Sequence, residues 1–187
     1  MVDCRGYHLA TCPGIHGRHH DSVRDILFRF AQQAQFSPQR EPSGVLAELY
    51  QSKERPADIL IPNYSNGKPL CLDVTIVSSF TDITKAASTS GYNAARAAQV
   101  KRDKYEAHLE DLGYMFRPFA MESIGGFDEQ CDSFLLRLGK RLSTCTSYSP
   151  GEAVRMIKEK ISFDWQRSLG TALEGHAQYL SAFFAQT

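Results

Sequence analysis

With 187 residues the chain has room for one domain, or for one domain with a small appendage. A hydrophobic share of 42% against 22% charged residues is the balance of an ordinary globular protein. Twenty-one basic residues match twenty-one acidic ones, and this net charge of zero excludes a uniformly basic coat for nucleic acid while allowing one positive face. No apolar run approaches the ~20 residues of a membrane span, and MVDCRGYHLATC lacks the basic-then-apolar layout of a secretory leader. Five cysteines without a disulfide-like framework point to a reducing compartment, so the expectation is an intracellular protein, neither secreted nor membrane-bound.

Residues 1–18 read as an irregular segment in which Cys4, His8, Cys12 and His16 recur every four residues, with His19 next. Sulfur and imidazole ligands at such intervals suit tetrahedral Zn²⁺, and a segment this small would need a metal to order it. In that reading Cys4, His8 and Cys12 bind, and His16 or His19 completes the set. Unmetallated surface thiols and histidines are the alternative. Residues 19–35 then read as a helix, because Val23, Ile26, Leu27, Phe30, Ala31 and Ala34 fall on one face. Asp21 or Ser22 is placed to cap it, and Phe36-Ser37-Pro38 ends it.

Residues 39–50 lead toward a first strand and carry two glutamates, Glu41 and Glu48. Next come two apolar, β-prone runs, ADILIP and PLCLDVTIV, each with one aspartate, Asp58 and Asp73. Asn66-Gly67 between them is a strong hairpin-turn signal. A carboxylate in an apolar strand is costly unless a cation or a donor meets it. Two that converge on one edge can share a divalent ion.

The stretch SSFTDITKAASTSGYN reads as a polar, mobile connection. A second helix follows over about 94–112, with Gly113 as its stop. Ala94, Ala97, Ala98, Lys101, Tyr105 and Leu109 share helical spacing on it, and Lys104 lies three residues from Lys101. Residues 114–123 read as a strand and 127–145 as a helix. Ser149-Pro150 opens a helix over 150–168, and a last helical segment covers 169–184.

Pro56-Ala57-Asp58, fourteen residues, then Asp73-Val74-Thr75 resembles the PD-(D/E)XK nuclease pattern, and more narrowly the restriction-like endonuclease domain of non-LTR retrotransposons. In that group the lysine has moved to the following helix. Thr75 stands in the usual lysine place here, and Lys101-Arg102-Asp103-Lys104-Tyr105 is similar to the group's Lys-x-x-Lys-Tyr. Upstream, Asp3, Gly6, His8 and Cys12 resemble the later half of the group's zinc knuckle, while its Cys-x-x-Cys half has no counterpart in the sequence. Arg18, His20 and Asp21 resemble the start of the group's first helix.

The resemblance implies an αβββαβ core at 19–145, a partial knuckle at 1–18 and a helical extension at 146–187. It implies a Mg²⁺- or Mn²⁺-dependent DNA endonuclease, nuclear if the source is eukaryotic. Asp58, Asp73 and the Val74 carbonyl would hold the metal, with Glu41 preferred over Glu48 as a third acidic group. Lys101, first in its motif, would orient and help deprotonate the water, with Lys104 beside it. Arg18, Lys85, Arg96 and Lys104 would face DNA. The rival readings are a non-catalytic binding module that kept the fold and a structural domain whose aspartates cap turns.

Overall fold

The computed structural model describes residues 13–40, Pro42 and 57–184, excepting the side chains of 13–18, 172, 173 and 175–184. Glu41, Glu48, Cys4, His8 and Cys12, and the side chains of His16 and Arg18, therefore lie outside the described residues. Within them the protein is mixed α/β: five helices and a four-stranded sheet. The elements are α1 (Pro13–Gln33), β1 (Gln39–Arg40), β2 (Ile59–Ser65), β3 (Lys68–Val77), α2 (Ile83–Ser88), α3 (Tyr92–Asp111), β4 (Met115–Glu122), α4 (Glu129–Ser143) and α5 (Pro150–Phe184).

The strands lie in the order β1-β2-β3-β4, antiparallel except for the parallel pair β3–β4. Asn66 and Gly67 both have positive φ, 50° and 79°, the signature of the type I′ turn whose twist matches a hairpin. Pairing of Ile59 with Leu72 and of Ser65 with Lys68 fixes the register, with an irregularity between Ile61 and Ser65 that accommodates Pro62. Pro118 is tolerated in β4 because that strand is an edge.

Side chains alternate along β3, and this sorts the core into two layers. Leu70, Leu72, Val74 and Ile76 point to a large core shared with Val23, Leu27 and Ala31 of α1, Phe134, Leu135 and Leu138 of α4, and Ala153, Ile157, Ile161 and Trp165 of α5. Cys71 points the other way, to a smaller cluster with Leu60, Tyr105, Leu109 and Phe116. Val77, also on that face, packs against Ala94, Ala98 and Ala120. The sheet is thus covered by α1, α4 and α5 on one side and by α3 on the other.

Several expectations are corrected. α1 begins at Pro13, so Asp21 and Ser22 lie inside the helix and do not cap it. The polar connection contains α2, capped by the Asp82 carboxylate accepting from the Lys85 N–H at 3.2 Å; it has no buried residue and hence no apolar period to read. The two C-terminal helical segments are one continuous α5.

Gly91 sets the entry to α3. Its φ is 75°, and a Cβ there would sit 2.2 Å from the Phe127 carbonyl oxygen. Gly91→Ala should therefore destabilise the protein by more than ~2 kcal/mol, since a left-handed L-residue alone costs about 1–2 kcal/mol and the backbone clash adds to it. Urea unfolding of the two proteins measures the difference.

Candidate active site

The hairpin brings the two aspartates together at its open end. The Asp58 N–H donates to the Leu72 carbonyl at 2.9 Å, and its carboxylate Oδ2 accepts from the Val74 N–H at 2.6 Å. The Asp58 side chain so continues the ladder beyond the first residue of β2. Val74 is bonded directly to Asp73, so covalent geometry holds the two carboxyl groups within roughly 8 Å of each other. A strand residue directs its N–H and C=O to the same edge, so the Val74 carbonyl faces the Asp58 side too.

Asp73 lies on the α3 face of β3, between the Cys71 cluster and the Val77 cluster, and it is 3% exposed. α3 answers it at the matching place. Ala94, Ala98, Tyr105 and Leu109 form the helix's buried stripe, and Lys101 sits on that stripe between Ala98 and Tyr105. Its Nζ donates to Asp73 Oδ1 at 3.0 Å, and Thr75 Oγ1, two residues along the same strand face, donates to Oδ2 at 2.9 Å. Burial pushes the Asp73 carboxyl above the usual carboxylate range; the Lys101 charge opposes this, and the nearby Asp58 charge adds to it.

His20 of α1 completes the group, its Nε2 lying 3.1 Å from Asp58 Oδ2. This hydrogen bond raises the His20 pKa above its ordinary value of 6.5 against the opposing effect of burial. A histidine with a raised folded-state pKa stabilises most below 6.5, and the contribution fades as pH rises through the folded value. The melting-temperature advantage of wild type over His20→Gln, which keeps a hydrogen bond but not the charge, should be largest near pH 6 and shrink toward pH 9.

The other sequence candidates lie apart from this group. Lys104 is exposed, its Nζ 4.9 Å from the Tyr105 ring centroid. Lys85 is exposed on α2 and donates to the Tyr92 hydroxyl at 3.0 Å, while Arg96 is exposed on α3. Tyr105 packs edge-on against Phe116, with ring centroids 5.7 Å apart. His19 is buried with its ring centroid 4.4 Å from that of Trp165.

Sequence reasoning placed His20 only at the start of a helix and missed its link to Asp58. It also missed Glu122 of β4, whose buried carboxylate accepts from the Asn93 N–H at 2.7 Å in the first turn of α3. This caps the helix that carries Lys101, as a carboxylate at a helix N-terminus should.

Two carboxylates and a strand carbonyl are hard oxygen donors, the kind that Mg²⁺ or Mn²⁺ takes. Among the described residues no three His, Cys, Asp or Glu side chains form a metal-holding group; Glu41 lies outside them. Nor is any helix among them long and apolar enough to cross a membrane. Comparison with protein-family models, with curated proteins and with solved structures finds no match to this chain.

Proposed function

We propose that the protein is a metal-dependent endonuclease that hydrolyses DNA phosphodiesters. The observation that carries the reading is the meeting of Asp58 and Asp73 at one end of a hairpin with the Lys101 ammonium 3.0 Å from Asp73. Asp58, Asp73 and the Val74 carbonyl would hold Mg²⁺ or Mn²⁺. The chemistry such an ion supplies is Lewis-acid polarisation of the scissile phosphate and a more acidic water.

The chain's own groups divide the remaining work. Asp73 is aimed by two donors, so its oxygens have fixed directions. Lys101 Nζ, a third exposed and anchored at Asp73, orients the attacking water and offsets charge on the phosphate oxygens. Asp58 is held by the Val74 N–H and by His20, which fixes the carboxylate before substrate arrives. A pure DNA binder gains nothing from carboxylates facing phosphates. The non-catalytic reading draws on one observation, that Lys101 and Thr75 already satisfy Asp73 within the fold.

The test is incubation with supercoiled, branched and single-stranded DNA in Mg²⁺, Mn²⁺ or EDTA. Cleavage that needs the ion and disappears in Asp58→Ala is the expected result. DNA left intact in every condition, or cut equally by Asp58→Ala, would sink the nuclease.

A further inference from the structure

At the opposite end of the same hairpin lies a cavity of about 780 Å³ between the C-terminus of α1, the β2–β3 turn and α4. Its charge is one-sided: Arg137, Lys140 and Arg141 line it, and no carboxylate does among the described residues. Thr144 continues the same face of α4, one turn on from Lys140 and Arg141.

The two arginines are held in place by carbonyls, and among the described residues neither pairs with a carboxylate. Arg137 donates from Nε and Nη2 to the Tyr64 carbonyl at 3.1 and 2.6 Å and stacks over the Tyr64 ring at 4.7 Å. Arg141 donates from Nε to the Ala34 carbonyl at 3.2 Å. Carbonyls fix a guanidinium's direction but leave its full charge, and each arginine keeps further N–H groups for a ligand. The Lys140 ammonium has no partner among the described residues. Lys140 and Arg141 also suit the negative end of α4, yet a helix terminus carries only about half a charge against three full ones.

The backbone around the cavity is costly as well. Gln35, Ser37 and Asn66 are the non-glycine residues with left-handed φ among those described, and all three line it. Asn66 belongs to the turn, and Gln35 closes α1 where glycine is usual, with the Phe36 N–H returning to the Ala31 carbonyl at 3.0 Å. Ser37 alone is left-handed without a local role, and it sits beside the preorganised cations.

We infer that this cavity is an anchor for a backbone phosphate of duplex DNA, away from the cut. The inference rests on the proposed nuclease reading for its choice of polyanion. β3 rises roughly 17 Å from Lys68 to Asp73 at ~3.3 Å per residue, or about five base pairs of duplex at ~3.4 Å each. That separation along the strand is within the length of one short duplex, with the cavity on the α1–α4 side of the sheet and Asp73 on the α3 side.

Binding of a labelled 24-base-pair duplex, measured in EDTA across a salt series, tests this without calling on catalysis. Lys140→Glu should bind about three- to tenfold more weakly at low salt, and its slope of log K against log salt should be smaller by about one. Arg155→Glu, an equal charge change at an exposed site on α5, should change binding less than twofold. Equal losses in both variants, no loss in Lys140→Glu, or no duplex binding by wild type would each overturn the anchor. So would displacement of the duplex by polyglutamate at equal charge in a Lys140-dependent way. Wild type that binds through Lys140 but never cuts keeps the anchor and removes the nuclease; wild type that cuts, with Lys140→Glu binding unchanged, does the reverse.

Discussion

Asp73→Asn is expected to abolish metal-dependent cleavage and, in the absence of metal, to raise the melting temperature. Loss of a ligand removes several kcal/mol of transition-state charge stabilisation, a fall of ~10³-fold or more at about 1.4 kcal/mol per decade. The gain in stability follows from the Asp73 carboxyl, which burial holds above its ordinary value of 3.8. A carboxyl with a raised folded-state pKa favours folding while protonated, an advantage complete below 3.8 and lost as pH rises through the folded value. At neutral pH the ionised side chain thus costs stability that the amide does not. Millimolar Mg²⁺ should reverse the order, because only wild type gains from binding, by about 2.7 kcal/mol at a hundredfold excess over Kd. Thermal melts of both proteins with and without Mg²⁺ decide it; a variant less stable without metal, or a wild type indifferent to Mg²⁺, would contradict the assignment.

Lys101→Met should lower the cleavage rate by ~10²-fold or more, the usual worth of a cationic donor aimed at developing charge, while Mn²⁺ binding stays close to wild type. The methionine keeps the stem that lies between Ala98 and Tyr105 and removes only the ammonium at Asp73. Lys104→Ala, an exposed site over the Tyr105 ring, should instead weaken DNA binding, with an effect that shrinks as salt rises. Single-turnover cleavage alongside equilibrium binding separates the two. The opposite outcome, turnover lost with Lys104 and binding lost with Lys101, would assign the lysines in reverse.

What could be read from the sequence was local. The hairpin was legible because Asn66-Gly67 stood between two β-prone runs, and its antiparallel pairing set Asp58 beside Asp73. Lys101 shared helical spacing with Ala98 and Tyr105, but it was the resemblance, through the first lysine of Lys-x-x-Lys-Tyr, that singled it out. Other features came from residues far apart. His20 lies 38 residues from Asp58, and Arg137 lies 73 residues from the Tyr64 carbonyl it grips; on its own helix the latter reads as one more solvated charge. α2 was missed because it buries nothing. α5 runs unbroken through Gly170, whose cost of about 1 kcal/mol a long packed helix absorbs, so the two segments read at 150–168 and 169–184 are one.

The distribution of the site over the chain also fixes the order in which it can assemble and come apart. Asp58 and Asp73 belong to one hairpin, which closes in microseconds from neighbouring residues. Lys101 reaches Asp73 only after the crossover through α2 and α3 has brought β4 parallel to β3, a slower, non-local step. The helix that delivers it is joined to the sheet by small residues, Ala94 and Ala98 against Ala120 and Val77, at the end that Gly91 admits. α3 is accordingly held by smaller clusters than the helices of the large core, and opening it leaves the α1–α4–α5 side of the sheet in place. Each such opening exposes the Asp73 carboxylate and separates it from its lysine, leaving the carboxylate pair intact. Amide exchange should find α3 less protected than the Leu70–Val74 stretch of β3; in the proposed nuclease such an opening would part Lys101 from Asp73.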